Sequence, residues 1–261
     1  MTSQPSSEQT IESIDLNADL AEHDGDDYAH DEALLALVSS ASIACGAHAG
    51  SPAVMEETAR RAAALGVAIG AHPSYPDRDG FGRRVLDLPI PTVAESVKSQ
   101  IELMFECAAR AGTAVRYVKP HGALYNRAMA DRELADALAE CVRSVDPGLA
   151  ILALPESAMA AAARVSSVRL AREAFIDRAY TSDGLLVPRT EPGAVIDDVA
   201  VAASRAARIA RESEVRCIDG IVIAIDADSL CVHGDNPLAL PLLEAAREAL
   251  EGTGMTISAF A

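Results

Sequence analysis

Short apolar runs alternate with longer amphipathic stretches along almost the whole chain, and this alternation restricts the fold more than any other feature. The runs read as strands at Ser13–Ala18, Ala41–Cys45, Val67–Ala71, Ala114–Val118, Leu149–Leu154, Val168–Arg172, Ile221–Ile225 and Leu230–Val232. The stretches between them read as helices at Asp31–Val38, Pro52–Leu65, Pro91–Ala111, Asp131–Val145, Glu156–Arg164, Gly193–Glu212 and Pro237–Gly252. Ser51 before Pro52 and Glu156 after Pro155 mark helix starts, and Gly66 and Gly112 mark helix ends. Such alternation predicts an α/β chain with a mostly parallel sheet. Some seven units in 261 residues suit a closed or distorted (β/α) TIM-like barrel better than an open sheet. Cys217–Ala227 reads instead as a hairpin around Asp219-Gly220. One domain is expected over 13–261, preceded by a loose polar tail over 1–12.

Composition narrows the function classes. Basic residues number 22 against 39 acidic ones, giving a net charge of −17. A chain this acidic repels phosphate backbones and anionic lipid, so neither nucleic acid nor a membrane surface is an expected partner. No apolar run approaches the ~20 residues of a membrane span. Five widely spaced cysteines without a C-x-x-C pair suggest neither a disulfide framework nor a zinc knuckle. A reduced, cytoplasmic protein acting on a small molecule is expected.

The functional signal is positional. In an α/β barrel the reactive groups gather at the C-terminal ends of the strands. His48, His72, His121 and His233, four of the six histidines, each follow an apolar run and stand beside Gly or Pro. One such histidine is more often structural, but four in the same topological position favour a site. His23 and His30, in an acidic loop, read as surface residues. Asp15, Asn17, Asp19 and Glu22 alternate along and beyond the first strand, which sets Asp15, Asn17 and Asp19 on one face. Buried carboxylates there need a partner or a cation. Arg78, Arg83 and Arg84 flank Gly80 and Gly82 in a loop able to close over an anion. EAFIDRAYTSDGLLVPR supplies Glu173, Asp177, Arg178, Tyr180 and Arg189 in an unusually long connection. Lys119 is one of only two lysines. Neither a Walker-type phosphate loop nor a G-x-S-x-G nucleophile elbow is present.

The segments IDLNADLAE, ASIACGAHAGSP, GAHPSYPDRDGFGRR, VKPHGALYN, EAFIDRAYTSDGLLVPR and CVHGDNP, in this order and spacing, resemble the LamB/YcsF family. The resemblance runs from about Ile14 to Leu250. It implies a distorted barrel similar to the glycoside hydrolase/deacetylase superfamily. It further implies ATP-coupled opening of the 5-oxoproline lactam to L-glutamate, carried out with 5-oxoprolinase subunits B and C. The family usually shows Cys at position 18, Gly at 21, an aromatic residue at 47 and Asp at 51. Here those positions hold Ala18, Ala21, Ala47 and Ser51. A cysteine nucleophile at 18 is therefore not required, and Ala21 is strained if its φ must be positive.

On that resemblance Lys119, Arg83 and Arg84 are expected to hold ATP phosphates, and Asp15 and Asp19 a transient Mg²⁺ arriving with nucleotide. His48, His72 and His121 are the expected proton-transfer groups, with Asp15, Asn17 and Asp19 beside them. Arg178, Tyr125 and His233 are expected at the substrate. Two rivals stay open. One is a deacetylase-like hydrolase with a metal on Asp19, His48 and His72. The other is a chain that only binds substrate and passes it to partners. Lys119 could equally act as a structural counter-ion to Asp15 or Asp19.

Overall fold

The computed structural model describes residues 13–25 and 28–261, so the expected tail at 1–12 lies outside the described residues. The elements run β1 (Ser13–Leu20), α1 (Ala29–Leu35), β2 (Ser40–Ala44), α2 (Pro52–Leu65), β3 (Ala68–His72), α3 (Ile90–Arg110) and β4 (Val115–Val118). There follow α4 (Gly122–Ala130), α5 (Arg132–Val145), β5 (Ala150–Ala153), α6 (Ala158–Val165), β6 (Arg169–Phe175), α7 (Val199–Glu212) and β7 (Glu214–Arg216). The chain ends with β8 (Val222–Ala224), β9 (Ser229–Val232), α8 (Ala239–Gly252) and β10 (Thr256–Ile257).

Seven parallel strands in the order β1-β2-β3-β4-β5-β6-β9 close on themselves, because β9 pairs with both β6 and β1. The expected barrel is the observed one. β7 and β8 form the anticipated antiparallel hairpin outside it.

Local chemistry sets the boundaries. Ser51 accepts from Val54 N (3.3 Å) to start α2, and Gly66 ends it in the left-handed region at φ 71. Several expectations shift: α1 spans Ala29–Leu35 rather than Asp31–Val38, and β6 runs on to Phe175 rather than ending at Arg172. α6 starts one residue after its cap Ser157, rather than at Glu156. α7 starts at Val199 under an Asp198 cap, not at Gly193. α4 follows His121 without a side-chain cap and lies where no helix is expected from the sequence.

Outward residues of the strands, such as Leu16, Leu20 and Ile43, pack with helix residues such as Leu138, Val142 and Leu242 into one aliphatic core. Burying each leucine contributes about 1.5–3 kcal/mol. The inward face is polar, unlike the branched aliphatic filling usual for such barrels. Asp15, Asn17, Tyr117, Lys119 and Glu173 are all buried in it. Gly70 makes room for this filling: a Cβ there would stand 2.3 Å from the Tyr117 ring.

Candidate functional site

Inward side chains stack in tiers. At the lower end Asp15 accepts from the hydroxyls of Ser39 (2.6 Å), Ser40 (2.7 Å) and Ser229. Burial nevertheless pushes its carboxyl up to about 6. One tier higher, Asn17 donates to Ser229 Oγ at 2.6 Å and Glu173 Oε1 at 3.3 Å. Lys119 follows β4 and shares the inward side with Tyr117. Its ammonium donates to Asp19 Oδ1 (2.8 Å), Cys231 Sγ (3.1 Å) and Asn17 Oδ1 (3.3 Å), and forms a second ion pair with Glu173 Oε1 at 2.9 Å. Burial works against that charge, but Asp19, Cys231 and Glu173 hold the ammonium well above its ordinary value. Burial likewise opposes the Asp19 charge, yet His72 and Lys119 keep its carboxyl well below the usual range.

Above this floor, three imidazoles meet. His48 and His121 stack with centroids 3.8 Å apart and planes 3° apart, and His72 stands at 86° to His121. Each ring has one nitrogen committed outward: His72 Nδ1 donates to Lys119 O (2.7 Å) and His121 Nε2 to Phe81 O (2.9 Å). His48 Nδ1 donates to Ser74 Oγ (2.9 Å), whose own proton goes to Tyr75 O (2.8 Å). Glu22 Oε1 lies 3.1 Å from His48 Nε2 and 3.3 Å from His121 Nδ1. Burial, with His72 nearby, lowers His48 to about 3. Burial, then His48 and His72, lowers His121 well below its ordinary value. Burial, then Asp19 and Asp235, raises Glu22 well above its own. Gly82, at φ 64, lets the arginine loop press onto the rings, where a Cβ would meet His121 at 2.9 Å.

A cavity of about 540 Å³ opens over these groups, lined by Asp19, His72, Lys119, His121, Tyr125, Phe175, Arg83, Arg178, Arg189 and His233. That size suits a small-molecule ligand. Arg178 is buried and donates only to carbonyls, Val187 O (2.5 Å) and Ala194 O (3.2 Å). Burial and the neighbouring Arg189 lower its guanidinium to about 10. Two arginines thus face the cavity with no carboxylate at ion-pair distance among the described residues, an arrangement suited to an anion. His233 Nδ1 donates to Asp177 Oδ2 at 3.0 Å, which fixes its ring against Phe175.

Most of the residues expected at the site gather there, with exceptions. His48 lies behind His121, and Asn17 lies beneath Lys119. Asp15 is at the opposite end of the barrel: strand alternation gives the face correctly, but four residues of strand rise separate it from Asp19 by about 13 Å. Asp15 and Asp19 therefore do not form a carboxylate pair for Mg²⁺, and Asp19 is already engaged by Lys119. Lys119 has its three N–H groups taken, so it presents no free ammonium to a phosphate. Arg83 and Arg84 part company. Arg83 pairs with Asp235 at the cavity, whereas Arg84 turns away to Asp77. His23 is half-buried and His30 exposed, both off the site.

The ligand set Asp19, His48 and His72 does not converge either. His72 Nε2 is 3.5 Å from Asp19, but the two His48 nitrogens are turned to Ser74 Oγ and Glu22 Oε1 instead. Donor atoms of Glu22, His48 and His121 fall within 4.8 Å of one another. Glu22, Glu173 and Asp235 are the groups that sequence reasoning left outside the expected set. Strand alternation on β6 carries the signal for Glu173, whereas Glu22 lies beyond its strand, where alternation lapses.

Departures from the family pattern now have locations. Ala18 is on the outward, helix-facing side of β1, so the residue at 18 does not reach the cavity. Ala21 has φ 62, the strained conformation its position demands.

A 47% identical relative from Agrobacterium fabrum is named as the A component of a 5-oxoprolinase; the match covers 95% of this chain and 98% of the relative. The solved lactam utilization protein of Thermus thermophilus superposes with a TM-score of 0.89 at 44% identity, covering 95% of this chain and 100% of that one. A family 4 carbohydrate esterase from Streptomyces lividans shares the fold alone, with a TM-score of 0.51 at 12% identity over 95% and 93% of the two chains. Residues 14–261 match the LamB/YcsF family model, and the chain belongs to the LamB/YcsF family.

Proposed function

We propose that this chain is the A component of an ATP-hydrolysing 5-oxoprolinase, which opens the lactam of 5-oxo-L-proline to L-glutamate together with subunits B and C. The observation that carries the reading is the match, over nearly the full length of both chains, to a relative of that name. The cavity supports it. Arg178 and Arg189 offer the substrate carboxylate two guanidinium groups in a chain that is otherwise strongly acidic.

An unstrained lactam resists water, and transfer of the ATP γ-phosphoryl group to the lactam oxygen makes its carbon electrophilic. Water then attacks that carbon and the C–N bond breaks to leave an acyl phosphate; a second water attacks its carbonyl carbon, and phosphate departs with the former lactam oxygen. His72 and His121 line the cavity as the groups able to move protons, and Arg83 stands at the loop as the candidate phosphate ligand. His233 and Tyr125 complete the substrate wall. Mg²⁺ belongs to the nucleotide phosphates, for which it has a natural preference. Lys119 holds Asp19 and Glu173 in place and is not a phosphate ligand. Five free, buried cysteines support a reducing, cytoplasmic setting, and no described helix is long and apolar enough to cross a membrane.

The test is 5-oxoproline-dependent release of ADP by this chain purified and mixed with subunits B and C. Turnover is expected in the full mixture and lost when this chain is left out. Equal turnover without it contradicts the assignment.

A further inference from the structure

The connection from β6 to α7 carries Arg178 and folds largely on itself. Ala179 N donates to Ala194 O (2.9 Å), Val187 N to Ala179 O (3.0 Å) and Ile196 N to Asp177 O (2.9 Å). The Arg178 guanidinium also ends on carbonyls of the same connection. These bonds shape the loop, but its placement against the barrel needs contacts from outside. Ile218 N and Cys217 Sγ in the hairpin segment reach Tyr180 O (2.9 Å) and Thr181 O (3.3 Å). Arg178 O itself is held by Arg205 on α7, which donates to it from Nη2 at 2.9 Å. The same guanidinium donates from Nε to Phe175 O (3.4 Å), at the end of β6, and from Nη1 to Arg216 O (3.2 Å), at the end of β7. Its carbon stands 5.3 Å from the centre of the Tyr180 ring, whose hydroxyl accepts from Phe175 N at 2.7 Å.

Charge alone explains this arginine poorly. It is half-buried, burial lowers its guanidinium, and among the described residues no carboxylate lies at ion-pair distance from it. A cation so placed loses water and gains little from a partner. An arginine does offer a planar fork of five N–H donors, enough to join three chain segments at fixed angles, which neither an apolar side chain nor an ammonium can do.

We infer that Arg205 is a positioning residue for the substrate carboxylate: it clips the backbone of Arg178 to the end of β6 and to the hairpin, and so fixes where the Arg178 guanidinium stands at the cavity. The carbonyl it holds is directly bonded to the Cα that carries the Arg178 side chain, so slack there moves the guanidinium. Phe175, the second anchor, lines the same cavity. The clip thus sets one wall of the cavity against another. The placement rests on these contacts alone, and its consequence for 5-oxoproline rests on the lactam-opening reading.

Amide hydrogen exchange of the intact chain, parent against Arg205→Leu, should be faster over 177–196 in the variant and unchanged in the barrel strands. Equal exchange over 177–196 overturns the inference, as does acceleration spread evenly over the barrel. In the enzyme reconstituted with subunits B and C, Arg205→Leu should raise KM for 5-oxoproline roughly 10-fold with kcat little changed. Arg205→Lys, whose ammonium can still reach one carbonyl, should recover part of that loss. Arg205→Leu added to Arg178→Met should raise KM no further, because the two residues act as a unit. An unchanged KM, a loss in kcat alone, or the same rise once Arg178 is already gone overturns the positioning role. Arg205→Gln carries both arms if the Leu variant does not fold. A parent enzyme that fails to turn over 5-oxoproline counts against the lactam-opening reading, and the exchange measurement, which needs no turnover, still decides the inference.

Discussion

Lys119 Nζ lies 2.8 Å from Asp19 Oδ1, inside a barrel where both side chains are almost wholly buried. Glu173 forms a second ion pair with the same ammonium at 2.9 Å. Lys119→Met would leave two buried carboxylates without their cation, so stability should fall by about 3–5 kcal/mol. Denaturant unfolding measures this, and adding Glu173→Gln should restore part of the loss. A Lys119→Met variant of parental stability would show that the ammonium is no counter-ion.

Arg178 should govern substrate affinity more than turnover. Losing one charge-assisted contact to the substrate carboxylate costs about 1.5–3 kcal/mol, equivalent to roughly a 10–100-fold rise in KM. Steady-state kinetics of Arg178→Met, at matched concentrations of subunits B and C, should show this with kcat much less affected. An unchanged KM would remove Arg178 from the carboxylate site.

Asp15 gives the stability a pH dependence of unusual sign for a carboxylate. Its folded value, about 6, lies above the ordinary 3.8. The folded state therefore binds this proton more tightly. The resulting stabilisation is complete below the unfolded value and is lost as pH rises through about 6. The shift corresponds to roughly 3 kcal/mol. Unfolding free energies of Asp15→Asn and parent, compared at pH 4 and pH 7.5, should move by about that amount in the variant's favour as pH rises. A constant difference would mean that Asp15 is ionised throughout.

Ala21 pays for a left-handed backbone at φ 62, where its N–H donates to Asp31 at 2.9 Å. Gly50 is pressed against it, since a Cβ there would stand 2.7 Å from Ala21 O. Ala21→Gly keeps the N–H and removes the Cβ clash, so stability should rise by about 1 kcal/mol. Thermal melting checks this, and a drop would show that other contacts support the Ala21 methyl.

The barrel and the cavity's end of it are legible in the sequence because strand ends are local signals: an apolar run, then His beside Gly or Pro. Tiers along a strand are less legible. Asp15 and Asp19 share a face by alternation, but only the strand's rise reveals that they serve opposite ends. Partner choice is harder still. Arg83 and Arg84 are adjacent in sequence, yet one finds Asp235, 152 residues away, and the other finds Asp77. α4 is hidden because Gly122 and a missing side-chain cap erase the usual start signal.

The most direct measurement uses 5-oxoproline carrying ¹⁸O in its lactam carbonyl, turned over by this chain with subunits B and C and ATP. If the lactam oxygen is phosphorylated and the acyl phosphate is then opened by water at carbon, inorganic phosphate acquires the label and the new γ-carboxylate of glutamate takes both of its oxygens from solvent. Label retained wholly in glutamate, or no glutamate formed, would contradict ATP-coupled lactam opening by this route.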